Sequence, residues 1–94
     1  MDNEITQEIL VDFKQRMRIT HGTEDEYLKK TLSASFNDIK EKCGEFSLDN
    51  SRGRELVFER SRYVYNDSVE YFQDNFQHQI NSFAFELWGV KDDS

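Results

Sequence analysis

The sequence predicts an all-α fold: a small bundle of about four helices with short connections and a long last helix. Three observations predict it. The 94 residues include no proline and only four glycines, so chain breakers are scarce. Apolar residues recur at steps of three and four through most of the chain, and no stretch alternates apolar and polar residues for long. Eight Phe within 14% aromatic residues set the chain apart from disordered sequences, which are poor in aromatics.

The first helix runs from about Thr6, a good N-cap, to Met17. Ile9, Leu10, Phe13 and Met17 form its apolar side, and the pattern stops at Ile19, before Thr20-His21-Gly22. Thr23 and Glu26 read as a capping box for the second helix, and Glu24 and Asp25 suit the positive end of its dipole. Leu28, Leu32, Phe36, Ile39 and Cys43 then fall within about 80° at ~100° per residue. Gly44 is the stop. A loop follows from Glu45 to about Ser51. The third helix starts near Ser51 or Arg52, with Leu56, Val57, Tyr63 and Val64 on one side. At Asn66-Asp67 the pattern allows either a break, with Asp67 and Glu70 as a new N-terminus, or a continuous helix. The last helix extends to Leu87 or Trp88, and its core stripe is Val69, Phe72, Phe76, Ile80, Phe83 and Leu87. Trp88-Gly89 ends it, and 91–94 read as a disordered tail of a single domain spanning 1–94.

Composition bounds function. A chain this short buries roughly 60–65% of its unfolded surface. With 36% hydrophobic residues and a mean hydropathy of −0.85, its core is thin for its aromatic content. Some aromatics are therefore expected to be buried by a partner. Tyr71, His78 and Phe85, seven apart and roughly opposite the core stripe, are one such set. Ordinary half-exposure of Tyr and His explains the same residues equally well. The net charge is −7, and the 32 positions from Tyr63 to Ser94 hold six acids and one base, a net −5. Nucleic-acid binding needs a basic patch that displaces counterions from phosphate. The single cysteine offers no internal disulfide, which points to a reducing compartment. The acidic start Met-Asp-Asn-Glu is no signal peptide, and no apolar run approaches the ~20 residues of a membrane span.

No catalytic, metal or cofactor site is expected. His21 and His78 lie in different elements without Cys or His at zinc-ligand spacing. Cys43 sits on an apolar stripe at a helix C-terminus, where the dipole opposes a thiolate. The acids Glu24, Asp25 and Glu26 are explained by the helix start. Arg52, Arg54, Arg60 and Arg62 point to about 0°, 200°, 80° and 280° around a helix at ~100° per residue, so they form no groove-reading stripe. Arg60 shares the side of Leu56, Tyr63 and Val64, so it is expected partly buried with an acidic or carbonyl partner.

Three stretches resemble the head–tail connector family of long-tailed phages, also called adaptor or DNA-packaging connector proteins. The first is Phe13-Lys14-Gln15-Arg16-Met17-Arg18-Ile19 with the acidic helix start Glu24-Asp25-Glu26-Tyr27-Leu28. The second is Ile39-Lys40-Glu41-Lys42-Cys43-Gly44, where the family often has Thr-Gly. The third is Arg60-Ser61-Arg62-Tyr63 with Tyr71-Phe72-Gln73-Asp74-Asn75-Phe76 and Ile80-Asn81-Ser82. The resemblance covers about Asp12 to Leu87. It implies a structural virion subunit at the head–tail junction, assembled in the host cytoplasm. The subunit would belong to a homo-oligomeric, dodecameric ring between the portal protein and a stopper or tail-completion protein, with DNA passing through without specific binding. Family members often carry longer C-terminal tails that reach the portal; here six residues follow Trp88. Phe58, Arg60, Arg62, Tyr71, His78, Phe85 and Trp88 are the candidate subunit-interface residues. The alternative is a small acidic helical regulator that binds one partner and forms no ring.

Overall fold

The computed structural model describes residues 5–92, with side chains described through Gly89. Four helices make a small all-α bundle: α1 (Gln7–Met17), α2 (Asp25–Cys43), α3 (Ser51–Tyr65) and α4 (Phe72–Asp92), the last the longest, preceded by a 3-10 turn at Val69–Tyr71. The bundle measures 47 × 27 × 20 Å.

Local chemistry sets most helix ends. Thr6 caps α1 by accepting from the Ile9 amide at 3.2 Å. Arg18 ends it in the left-handed region at φ 62°, with the Ile19 amide donating back to the Lys14 carbonyl at 2.9 Å. Gly44, at φ 116°, ends α2 where a side chain would be strained. Asn50 caps α3, its side-chain oxygen accepting from the Arg52 and Gly53 amides at 3.0 and 3.1 Å. Asp67, at φ 60°, breaks the chain after α3, and the Ser68 amide donates to the Tyr63 carbonyl at 2.8 Å. The helix is therefore not continuous through Asn66.

Three local expectations are corrected. The capping box at Thr23 and Glu26 does not form. Glu24 is the N-cap, without a side-chain cap bond. Its carboxylate instead accepts from the Tyr65 hydroxyl at 2.9 Å, and the Thr23 hydroxyl pairs with His21 Nδ1 at 2.9 Å. Val69 does not belong to the core and is 36% exposed. It stands in the 3-10 turn, whose three residues per turn break phase with the α-helical stripe after it. Finally, α4 does not end at Trp88-Gly89 but continues to Asp92. Of the expected tail, 91–92 are helical and 93–94 lie outside the described residues.

The core joins one stripe from each helix. Leu10 and Phe13 of α1, Leu28, Leu32, Phe36 and Ile39 of α2, Leu56, Val57 and Phe58 of α3, and Phe72, Ile80 and Phe83 of α4 are all buried. Seven of the eight Phe pack inside this bundle; Phe85 alone does not. The aromatic surplus read from composition is therefore mostly absorbed by the chain itself.

Phe46, in the loop before α3, locks three helices together. Its ring lies edge-on to Phe36 of α2 at 5.2 Å and to Phe83 of α4 at 5.1 Å. The ring rests on Gly53 of α3 so closely that a Cβ there would come within 2.3 Å of two ring carbons. Between α2 and α3 the close approach is made by serines. Ser61 donates to Ser35 at 2.9 Å, both hydroxyls fully buried. Arg60 donates to Ser35 at 3.1 Å and pairs with Asp38 at 3.1 Å, the acidic partner its half-buried position demands.

Gly53→Ala tests the Phe46 seat. Helix propensity alone favours alanine by about 1 kcal/mol. Overpacking against the ring costs about 1–3 kcal/mol, so a net loss in the urea midpoint is expected. In a Phe46→Ala background the ring clash is gone, leaving only a 3.1 Å approach to Phe83 Cζ, and the same change costs less. Gly53→Ala that stabilises both backgrounds equally contradicts the seat.

Candidate interaction surface

The outer face of α4 carries the largest exposed apolar side chains of the described residues. Its core stripe is Phe72, Phe76, Ile80, Phe83 and Leu87. Phe85 lies about 180° from the centre of that stripe at ~100° per residue, so the helix that buries Phe83 must turn Phe85 outward. Phe85 is 78% exposed, Trp88 64% and Tyr71 59%; His78 is exposed as well. Trp88 stands one turn beyond Phe85, on the side nearer Gly44, where its indole Nε1 is 3.8 Å from the position of a Gly44 Cβ. Beside these rings runs a ladder of amides. Gln73 donates to Gln77 at 2.6 Å, and Gln77 donates to Asn81 at 2.9 Å. The ladder satisfies polar groups along the helix and leaves the rings as the outstanding apolar surface.

The other sequence candidates are placed differently. Phe58 is 4% exposed and faces inward, its ring 5.4 Å from Phe13. The Arg16 guanidinium lies over its other side, 5.7 Å from the ring centre. It supports the core and offers no ring to a partner. Its membership of the interface set is corrected on that ground, because α1 covers the flank of α3 that carries it. Arg60 is committed to Ser35 and Asp38 within the chain. Arg62 is tied by two donated bonds to Glu59, at 3.1 and 2.6 Å.

The four arginines of α3 each find an acid of the same chain. Arg52 pairs with Glu86 of α4 and donates to Ser82 at 3.0 Å. Arg54 meets Asp12 of α1 at 3.0 Å and donates to the Leu48 carbonyl at 2.9 Å. A second set was not legible in sequence: Arg16 of α1 donates to both Glu55 oxygens, at 3.0 and 2.5 Å, and reaches Glu59 at 3.1 Å. Glu59 thus bridges Arg16 and Arg62 with its side chain 11% exposed. The bonds to Glu55 hold the Arg16 guanidinium above its ordinary basicity, and those to Glu59 do the same for Arg62. Residues from α1 and α3, 39 and 43 positions apart, make this network, so no local spacing announces it.

Cys43 is buried, and its thiol lies 3.5 Å from the Ile80 carbonyl. Burial pushes that thiol up, which disfavours a nucleophilic thiolate. Among the described residues no group of three or more His, Cys, Asp and Glu side chains is arranged to hold a metal ion, and no helix is long and apolar enough to cross a membrane. No family model, curated protein or solved structure matches the chain.

Two outcomes follow from this geometry. Glu59→Ala removes the anion shared by Arg16 and Arg62. Both arginines can turn to water, so the expected loss is about 1–2 kcal/mol, read in urea unfolding. A loss within ~0.3 kcal/mol contradicts a bridging role. Cys43 in the folded protein should react with an aromatic disulfide reagent far more slowly than in urea. Equal rates contradict its burial.

Proposed function

We propose that this chain is a structural assembly subunit, a component of a phage head–tail connector ring, joining portal to tail-completion proteins around the DNA passage. The observation that carries the assembly role is the outer face of α4. Phe85, Trp88 and Tyr71 expose large rings on a helix whose other side is fully used in the core. Aromatic side chains presented this way suit the buried centre of a protein–protein interface, where such residues are enriched. The ring and its position in the virion rest on the resemblance of the three sequence stretches.

Charge supports the same reading. The arginines of α3 are held by carboxylates of the same chain, so they make no free basic stripe for phosphate contacts. A surplus of acid on a subunit lining a DNA passage keeps the duplex from adhering.

Phe85→Asp tests the assignment. The side chain is exposed, so helix content by circular dichroism should stay unchanged, while co-assembly with a portal protein drops by about tenfold or more. Negative-stain microscopy and light scattering read the result. Rings in the parent protein and none in the variant support the reading. A parent that forms only a one-to-one complex with its partner favours a helical regulator instead.

A further inference from the structure

The cations left over after internal pairing lie at one end of the bundle, and three of the leftover acids stand on another side of that same end. Of the described cations, Arg18, Lys29 and Lys30 make no ion pair, while Lys14, Arg16, Lys40, Lys42 and the four arginines of α3 all do. The three free cations fall at the end of α1 and in the first turns of α2. At the corner between α3 and α4, Asp67, Glu70 and Asp74 are exposed and also lack an ion pair.

These two groups lie at the same end of the molecule. Lys14 in the last turn of α1 holds Asp25 in the first turn of α2 at 2.6 Å. Tyr65, the last residue of α3, holds Glu24 at the start of α2 at 2.9 Å. They also face different ways. Lys30 lies about 160° from the centre of the α2 core stripe, with Lys29 about 60° from it on the stripe's flank, and Asp74 lies about 160° from the centre of the α4 stripe, at ~100° per residue. Because α2 and α4 pack core face to core face, their outer faces point to opposite sides. Each side carries an exposed tyrosine beside its charges, Tyr27 at 49% and Tyr71 at 59%. Glu26 stands among the cations and Glu24 begins the same helix, leaving that side net +1 (three cations less two acids).

We infer that a second copy of this chain docks here, the α1–α2 side of one copy, with Arg18, Lys29 and Lys30, against the α3–α4 corner of the next, with Asp67, Glu70 and Asp74. Opposite charge at one level on opposite sides gives a heterologous contact. Repetition of that contact about an axis along the length of the bundle gives a ring where the rotation between copies closes, and an open filament where it does not. A two-fold dimer through either patch alone would set like charges against each other. This inference rests on the proposed assembly role and specifies how copies meet.

Charge reversal on each side provides the test. Lys29→Glu with Lys30→Glu, and separately Glu70→Lys with Asp74→Lys, should each raise the dissociation constant for self-association by at least about tenfold at low salt, measured by sedimentation velocity and native mass spectrometry. Circular dichroism checks that each variant stays helical. The protein carrying all four changes regains association, and an equimolar mixture of the two double variants co-assembles. Association of the parent should weaken as salt shortens the Debye length below about 10 Å. Self-association unmoved by either double variant overturns the inference, as does a parent that stays monomeric at low salt and the highest attainable concentration. The two readings fail separately. Loss of portal co-assembly in Phe85→Asp with no response to charge reversal keeps the assembly role and removes this contact. Charge-dependent self-association without portal binding does the reverse.

Discussion

The seat of the Phe46 ring on Gly53 is the constraint on which the rest of this bundle depends. A loop of seven residues, 44–50, must return the chain from α2 to α3, and Phe46 fills the space that the turn leaves between α2, α3 and α4. Only a residue without a Cβ lets that ring sit so close to α3. With the ring in place, α3 approaches α2 closely enough for Ser61 and Ser35 to bond, and Phe83 meets an aromatic edge. Larger side chains at any of these positions would push the helices apart, and a thin core has little other contact area to compensate.

Around that core, the chain neutralises most of its own cations. Bridges from Arg16, Arg52, Arg54 and Arg60 tie α3 to α1, α2 and α4. Exposed single bridges contribute little. Glu59, closed off beneath two guanidinium groups, and Arg60, held between Ser35 and Asp38, are more enclosed and fix the azimuth of α3 as well as its position. The consequence reaches function: with these arginines occupied, the surface retains aromatic rings on α4, a small group of free cations and a larger group of free acids. The proposed assembly role draws on those rings and charges.

The all-α class, the number of helices and the core stripes of α2 and α4 were legible in the sequence, because helical periodicity is written directly in residue order. The exposure of Tyr71, His78 and Phe85 was legible for the same reason: a residue opposite a complete core stripe faces outward. Phe58 was misplaced because composition cannot say which flank of α3 another helix covers. Thr23 and Glu26 made a good capping signature and still did not cap, since the Thr23 hydroxyl pairs with His21 and Glu24 takes the N-cap position.

By itself, then, the sequence determined that the chain is helical, where the body of each helix lies and which side of α2 and α4 is apolar, all set by interactions within a few residues. Only the tertiary structure decided the partners: Arg16 with Glu55 and Glu59, Arg54 with Asp12, Phe46 on Gly53, and a chain break at Asp67 in place of one long helix. These depend on groups brought together across three helices, where distance in the chain carries no information about distance in space. The same holds for the surface. Which charges remain free is known only after every internal pair has formed.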